Sequence, residues 1–183
     1  MNTKTILKTD YSAKKCKEME GHDGYVIRFD LCYKGKKVAE VYDDGNGGEV
    51  EIDWKFYSKT RGGDGRWEVY KEGAKEDFDA LIEQMGQWES SFDKSKNDYN
   101  DEVLVMEIYE DQRLEKQLKR KLKGKVLFID DDGKCKEIGW KGTKKVEAVH
   151  WRAVRENEPN LKVILNEVPF DEALEQFKTA TSK

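Results

Sequence analysis

The stretch from Tyr25 to Tyr42, YVIRFDLCYKGKKVAEVY, sets the tightest limit on the fold, because β-forming residues lie on both sides of Lys34-Gly35. Branched and aromatic side chains fit a pleated, half-buried surface, so the stretch predicts a hairpin with Val26, Phe29, Leu31, Tyr33, Val38 and Val41 at buried or half-buried positions. Such a chain is not all-helical. Asp43-Asp44-Gly45-Asn46-Gly47-Gly48 then supplies residues that tolerate positive φ. After it Val50, Ile52, Trp54 and Phe56 alternate with polar neighbours, predicting a third antiparallel strand. Arg61-Gly62-Gly63-Asp64-Gly65-Arg66 reads as a second turn, with Trp67 and Val69 continuing into a fourth strand.

From Ala74 the period changes. Phe78, Leu81, Ile82, Met85, Trp88 and Phe92 recur at three- and four-residue intervals, which predicts an amphipathic helix. Ser90 to Asn100 is polar and turn-rich. Leu104, Ile108, Leu114, Leu118 and Leu122 predict a second helix ending at Gly124, although Val103 to Met106 also suits a short strand. Beyond it, Val126 to Ile129, the turn Asp130-Asp131-Asp132-Gly133 and Cys135 to Trp140 predict a second hairpin. Ala148 to Val154 and Leu161 to Leu165 read as two more strands, and Asp171 to Phe177 as a short helix. The expected class is α+β, with antiparallel hairpins and sheets flanking a central helical segment. Three parts follow: a β-rich 1–72, a helical 73–123 and a β-rich 124–183, either within one domain or divided near residue 100 or 124. An exposed strand edge between Tyr25 and Tyr42 would be open to self-pairing or in need of cover.

The chain has 183 residues, 39% charged and 37% hydrophobic, enough for one substantial core or two small lobes. Only 2 prolines against 11% aromatics exclude a disordered or collagen-like chain. The formal charge of -4 argues against binding polyanions by net charge alone. Its distribution says more: residues 1–72, 73–118 and 119–183 carry 0, -8 and +4. Cys16, Cys32 and Cys135 are odd in number and widely spaced, and the first residues lack the apolar core of a signal peptide. A reducing cytoplasm is the expected compartment. No apolar run approaches the roughly 20 residues that span a bilayer.

Catalytic and metal-binding patterns are weak. The cysteines, His22 and His150 form no close pair of zinc ligands, and neither histidine sits in a recognisable nucleophile motif. Asp44, Asn46 and Gly48 superficially suggest a calcium loop but lack its later oxygen ligands. Asp130-Asp131-Asp132 reads as a surface turn. Asp44 with Asp53-Trp54-Lys55 resembles the carboxylate-carboxylate-lysine core of a magnesium-dependent nuclease, although no Pro-Asp precedes it and strand alternation explains the spacing. Arg61 and Arg66 around the glycine-rich loop suggest a phosphate contact, with a hairpin turn as the simpler account. No cofactor is implied.

Charge patterning gives the stronger surface signals. Lys119, Arg120, Lys121 and Lys123, joined by Lys141, Lys144, Lys145, Arg152 and Arg155, alternate with Trp140 and Trp151, a composition suited to pairing with phosphates and stacking on bases. Cations at a helix C-terminus also complement its dipole, and tryptophans are more often core. Glu76, Asp79 and Glu83 mark an acidic face beside the apolar stripe of the first helix, able to occupy a groove that otherwise receives nucleic acid.

The hairpin Tyr33-Lys34-Gly35-Lys36-Lys37-Val38 running into Asp43 to Gly48, and the lysine-rich helix passing into Lys125-Val126-Leu127-Phe128, resemble small proteins of phages and mobile elements. Among these the chain resembles the type II-A anti-CRISPR proteins. That resemblance implies a non-enzymatic inhibitor in a bacterial host, bound to Cas9 or a comparable nucleic-acid-processing effector. The competing expectations are an accessory protein that binds nucleic acid or a phosphorylated ligand, and the magnesium-dependent nuclease.

Overall fold

The computed structural model describes residues 7–22, 24–54, 57–59, 67–69, 74–90 and 93–181. The chain is α+β and divides into two compact units, Met1–Glu110 and Asp111–Lys183. The boundary between the units falls within the long helix Asp101–Gly124.

In the first unit, strands β1 (Tyr11–Glu20), β2 (Tyr25–Tyr33), β3 (Lys36–Asp43) and β4 (Glu51–Asp53) form an antiparallel sheet in sequence order. The β2–β3 turn is the expected one. Lys34 and Gly35 both take positive φ, 47° and 81°, matching the twist of the strands they join. β2 is paired along its length by β1 and β3, and β4 covers β3 over Glu40–Tyr42. β1 was absent from the sequence reading. Its register against β2 slips between Lys14 and Lys17, where Lys15 takes φ 52°, a bulge that breaks any simple alternation.

One face of this sheet carries Tyr11, Ala13, Phe29, Leu31, Val38 and Val41, all buried. They pack on Phe78 and Leu81 of helix α1 (Ala74–Met85) and on Leu104, Val105, Ile108 and Tyr109 of helix α2 (Asp101–Gly124). Burying a side chain such as Phe29 contributes about 1.5–3 kcal/mol. The opposite face is held by charge: Asp30 pairs with Lys15 at 2.9 Å and Lys37 at 2.8 Å, and Arg28 with Glu40 at 3.0 Å.

Short pairs complete the unit: β5 (Tyr57–Lys59) with β6 (Trp67–Val69), and β7 (Gln87–Glu89) with β8 (Lys96–Asp98). β6 is the expected fourth strand, but it pairs with β5 instead of the larger sheet. α1 stops earlier than its apolar spacing suggests. Gly86, at φ 69°, donates its N–H to the Ile82 carbonyl at 3.2 Å, a left-handed stop that leaves Trp88 in a strand. Phe92 lies outside the described residues. Val103 to Met106 is helical, since Leu104 and Val105 begin the i, i+4 stripe that Ile108 and Tyr109 continue.

In the second unit, β9 (Lys125–Asp130) is flanked by β10 (Cys135–Gly139) and β11 (Leu161–Ile164), both antiparallel to it. Strand alternation divides β9 between two clusters. Leu127 and Ile129 join Leu114 and Leu118 of α2 with Ala173 and Phe177 of helix α4 (Phe170–Thr181), while Val126 and Phe128 join Val146, Val154 and Ile164. The expected strand Ala148 to Val154 is instead helix α3 (Ala148–Asn157). Its Val and Trp content suggested a strand, yet Trp151 and Val154 turn toward one cluster at helical spacing. The Glu147 N–H donates to His150 Nδ1 at 3.0 Å and closes the helix start. Asn166 ties this unit internally, accepting from Leu127 N–H at 2.8 Å and donating to the Leu122 and Lys125 carbonyls at 3.2 and 3.0 Å.

Candidate nucleic-acid interface

The charge asymmetry of the sequence coincides with the two units. Residues 1–110 hold 17 basic and 25 acidic side chains, net -8, and residues 111–183 hold 17 basic and 13 acidic, net +4. The second unit is where a polyanion would be attracted.

The nine cations singled out from sequence separate into two groups. Lys119 pairs with Glu115 one helical turn away and lies 5.1 Å from the centre of the Phe170 ring. Lys121 is half-buried, 2.8 Å from Glu137 and 5.9 Å from the Phe177 ring centre. Arg155 pairs with Glu167. These three are committed to internal partners. Lys125 also pairs with Glu137, and those two ammonium groups hold its carboxyl below the ordinary carboxylate range.

Arg120, Lys123, Lys141, Lys144, Lys145 and Arg152 are all exposed and make no ion pair among the described residues. Arg120 and Lys123 stand three residues apart on the last turns of α2, one helix face. Lys141 lies in the turn that Thr143 N–H closes on the Trp140 carbonyl at 3.1 Å, with Gly142 at φ 84°. Lys144 and Lys145 follow, and the next residue, Val146, donates its N–H to the carbonyl of Lys123 at 3.1 Å. That backbone bond brings the lysine loop onto the end of α2. Arg152 is in the first turns of α3, whose N-cap Glu147 puts one acid among the cations.

The acidic candidates lie on α1. Glu76 and Glu83 are exposed, and Asp79 is 2.8 Å from Lys75, which also bridges to Asp101 at 2.9 Å. The spacing of Glu76, Asp79 and Glu83 keeps them on one face, but Lys75 neutralises part of it. Arg61, Arg66 and Lys55 lie outside the described residues. Asp44 uses both carboxylate oxygens on Asn46, taking its backbone N–H at 2.9 Å and its side-chain amide at 3.1 Å. Asp130 is 3% exposed and serves its own turn, accepting from Lys134 N–H at 2.9 Å and pairing with Lys136 at 3.0 Å. Among the described residues no group of three His, Cys, Asp or Glu side chains is placed to hold a metal ion.

No family model, curated protein or solved structure matches the chain. The surface must therefore be read from its own chemistry. No helix among the described residues is long and apolar enough to cross a membrane.

The sequence reading also missed cations on the first unit. With β1 unrecognised, Lys14, Lys15 and Lys17 had no assigned place; Lys15 pairs with Asp30, and Lys14 Nζ donates to the Gly35 carbonyl at 3.3 Å. The lysine pairs in YSAKKCKEME and GKK were the available signal. They are more heavily partnered than the loop lysines of the second unit.

Proposed function

We propose that this protein is a non-enzymatic interaction protein that binds and blocks a nucleic-acid-processing effector, Cas9 being the case to assay, with its second unit facing nucleic acid. The observation that carries the proposal is the group of exposed cations Arg120, Lys123, Lys141, Lys144 and Lys145, which make no ion pair among the described residues and are joined by the Val146–Lys123 backbone bond, with Arg152 in the same unit of net charge +4. Cations that make no ion pair among the described residues keep their charge for a phosphate, whereas Lys119, Lys121 and Arg155 would have to give up a carboxylate first. The acidic face of α1, through Glu76 and Glu83, supports contact with a basic protein groove.

The test is a Cas9–guide DNA-cleavage assay with the protein titrated in, beside size-exclusion co-elution with Cas9. Dose-dependent loss of cleavage, together with co-elution, is the expected result. The variant R120E/K123E/K144E/K145E should weaken inhibition, and E76K/E83K should do so if the acidic face takes part. Unchanged cleavage at saturating protein removes the Cas9 reading. DNA binding in the absence of inhibition would favour an accessory role on nucleic acid.

A further inference from the structure

The second unit contains five aromatic residues besides its histidine, two of them buried and three half-buried. Phe128 and Phe177 are each 1% exposed. Phe170 packs against the cluster around Leu118 and Phe177. Trp140 and Trp151, the two indoles interleaved with the cations in sequence, pack against the cluster of Val126, Phe128, Val146 and Val154. Trp140 also meets the His150 ring edge-on, centroids 4.8 Å apart. Among the described residues, the large apolar side chains that stand exposed, Tyr25 and Tyr42 included, are in the first unit with the single exception of Val149.

Single-stranded nucleic acid is ordinarily held by a cationic groove together with aromatic faces on which successive bases stack. This surface has the cations, while its two indoles are half-buried and packed against the core instead of standing out as a stacking platform. A duplex keeps its bases stacked on one another and presents a denser line of phosphates, so it asks only for cations. We infer that the Arg120–Lys123 helix end and the Lys141–Lys145 loop bind the phosphate backbone of a nucleic-acid duplex, without base stacking and without sequence preference. This rests on the reading of the second unit as the nucleic-acid-facing one.

Five phosphate contacts give an expected slope of about -4.5 for log affinity against log salt on duplex DNA, a loss of roughly 500-fold between 50 and 200 mM salt. Fluorescence anisotropy with the full-length chain, using one sequence as a 20-base-pair DNA duplex, as the RNA duplex and as the single strand, measures it. Both duplexes should bind more tightly than the strand, with a salt slope near the stated value. The R120Q/K123Q variant, which alters two exposed side chains, should lower the slope by about 2. Tighter binding to the single strand, or a salt slope unchanged in R120Q/K123Q, would overturn the inference while leaving a nucleic-acid-facing unit in place. No binding to any of the three at 50 mM salt would overturn both.

Discussion

Gly24 and Gly45 press two loops of the first unit together backbone to backbone: a β-carbon on Gly24 would lie 2.6 Å from the Gly45 carbonyl oxygen. Gly45, at φ 71°, would in turn place a β-carbon 2.7 Å from the Tyr25 carbonyl. The tip of the β1–β2 hairpin is thus seated on the β3–β4 connection, and neither side has room for a side chain. Gly47 is a natural control, with φ 75° and nothing within 4 Å. Gly47→Ala should cost about 1–2 kcal/mol from backbone conformation alone. Gly45→Ala should cost more, through the added clash, and urea midpoints of the two variants give the comparison. Equal midpoints would mean that the loops separate readily.

Asn166 satisfies three backbone groups at the junction of α2 and β9 with one side chain. Asn166→Ala leaves the Leu127 N–H and two carbonyls without that partner, an expected loss of roughly 1–3 kcal/mol. Asn166→Asp should be worse, because a carboxylate oxygen would then face the Leu122 and Lys125 carbonyls. Thermal melts of both variants test the order.

Acid should destabilise the fold. Partial burial pushes the Asp30 carboxyl up, but hydrogen bonds from Lys37 and Lys15 outweigh it and hold the group below its ordinary 3.8. Hydrogen bonds from Lys121 and Lys125 do the same for Glu137. A group whose pKa is lower folded than unfolded stabilises fully above its unfolded value, and that contribution disappears as pH falls through the folded one. Urea midpoints should therefore hold steady from pH 7 to 5 and drop below about pH 4. Asp30→Asn and Glu137→Gln should flatten the drop, and a fall already complete by pH 5 would contradict the assignment.

Asp93 offers a local reporter. Its carboxylate accepts from the Ser95 hydroxyl at 2.8 Å and the Ser95 N–H at 3.1 Å, and these bonds together with Ser90 pull its pKa down to about 2. Carboxyl-detected NMR titration should find its midpoint near that value in the native chain and moved upward in Ser95→Ala, which removes the hydroxyl but keeps the Ser95 N–H and Ser90.

Much of the fold was legible where local pattern and tertiary demand agree. The Lys34-Gly35 turn, the Leu104-to-Leu122 stripe, the β9–β10 hairpin, β11 and the last helix all fall where the sequence places them. β1, the end of α1 and α3 were among those that were not. β1 is an edge strand with a bulge, so YSAKKCKEME shows mostly charge. Gly86 ends α1 while Trp88 happens to keep the helical interval. α3 is built from β-favouring residues whose helical state is decided by the cluster beneath them, a tertiary override that propensity does not register. At the candidate interface the cations were legible as residue types. Which of them stand unpaired was only partly so: Glu115 is one helical turn from Lys119, but Glu137 and Glu167 reach Lys121 and Arg155 from elsewhere in the chain.

The slip at Lys15 bears on how the protein behaves at high concentration. An edge strand of ten residues is a ready template for a neighbouring chain, and the first unit exposes β1 along one side of its sheet. The interruption between Lys14 and Lys17 bends the strand midway, and three lysines crowd the same few residues. A second copy approaching edge to edge would meet a broken ladder and repelling charge, which disfavours growth of a continuous sheet through this edge.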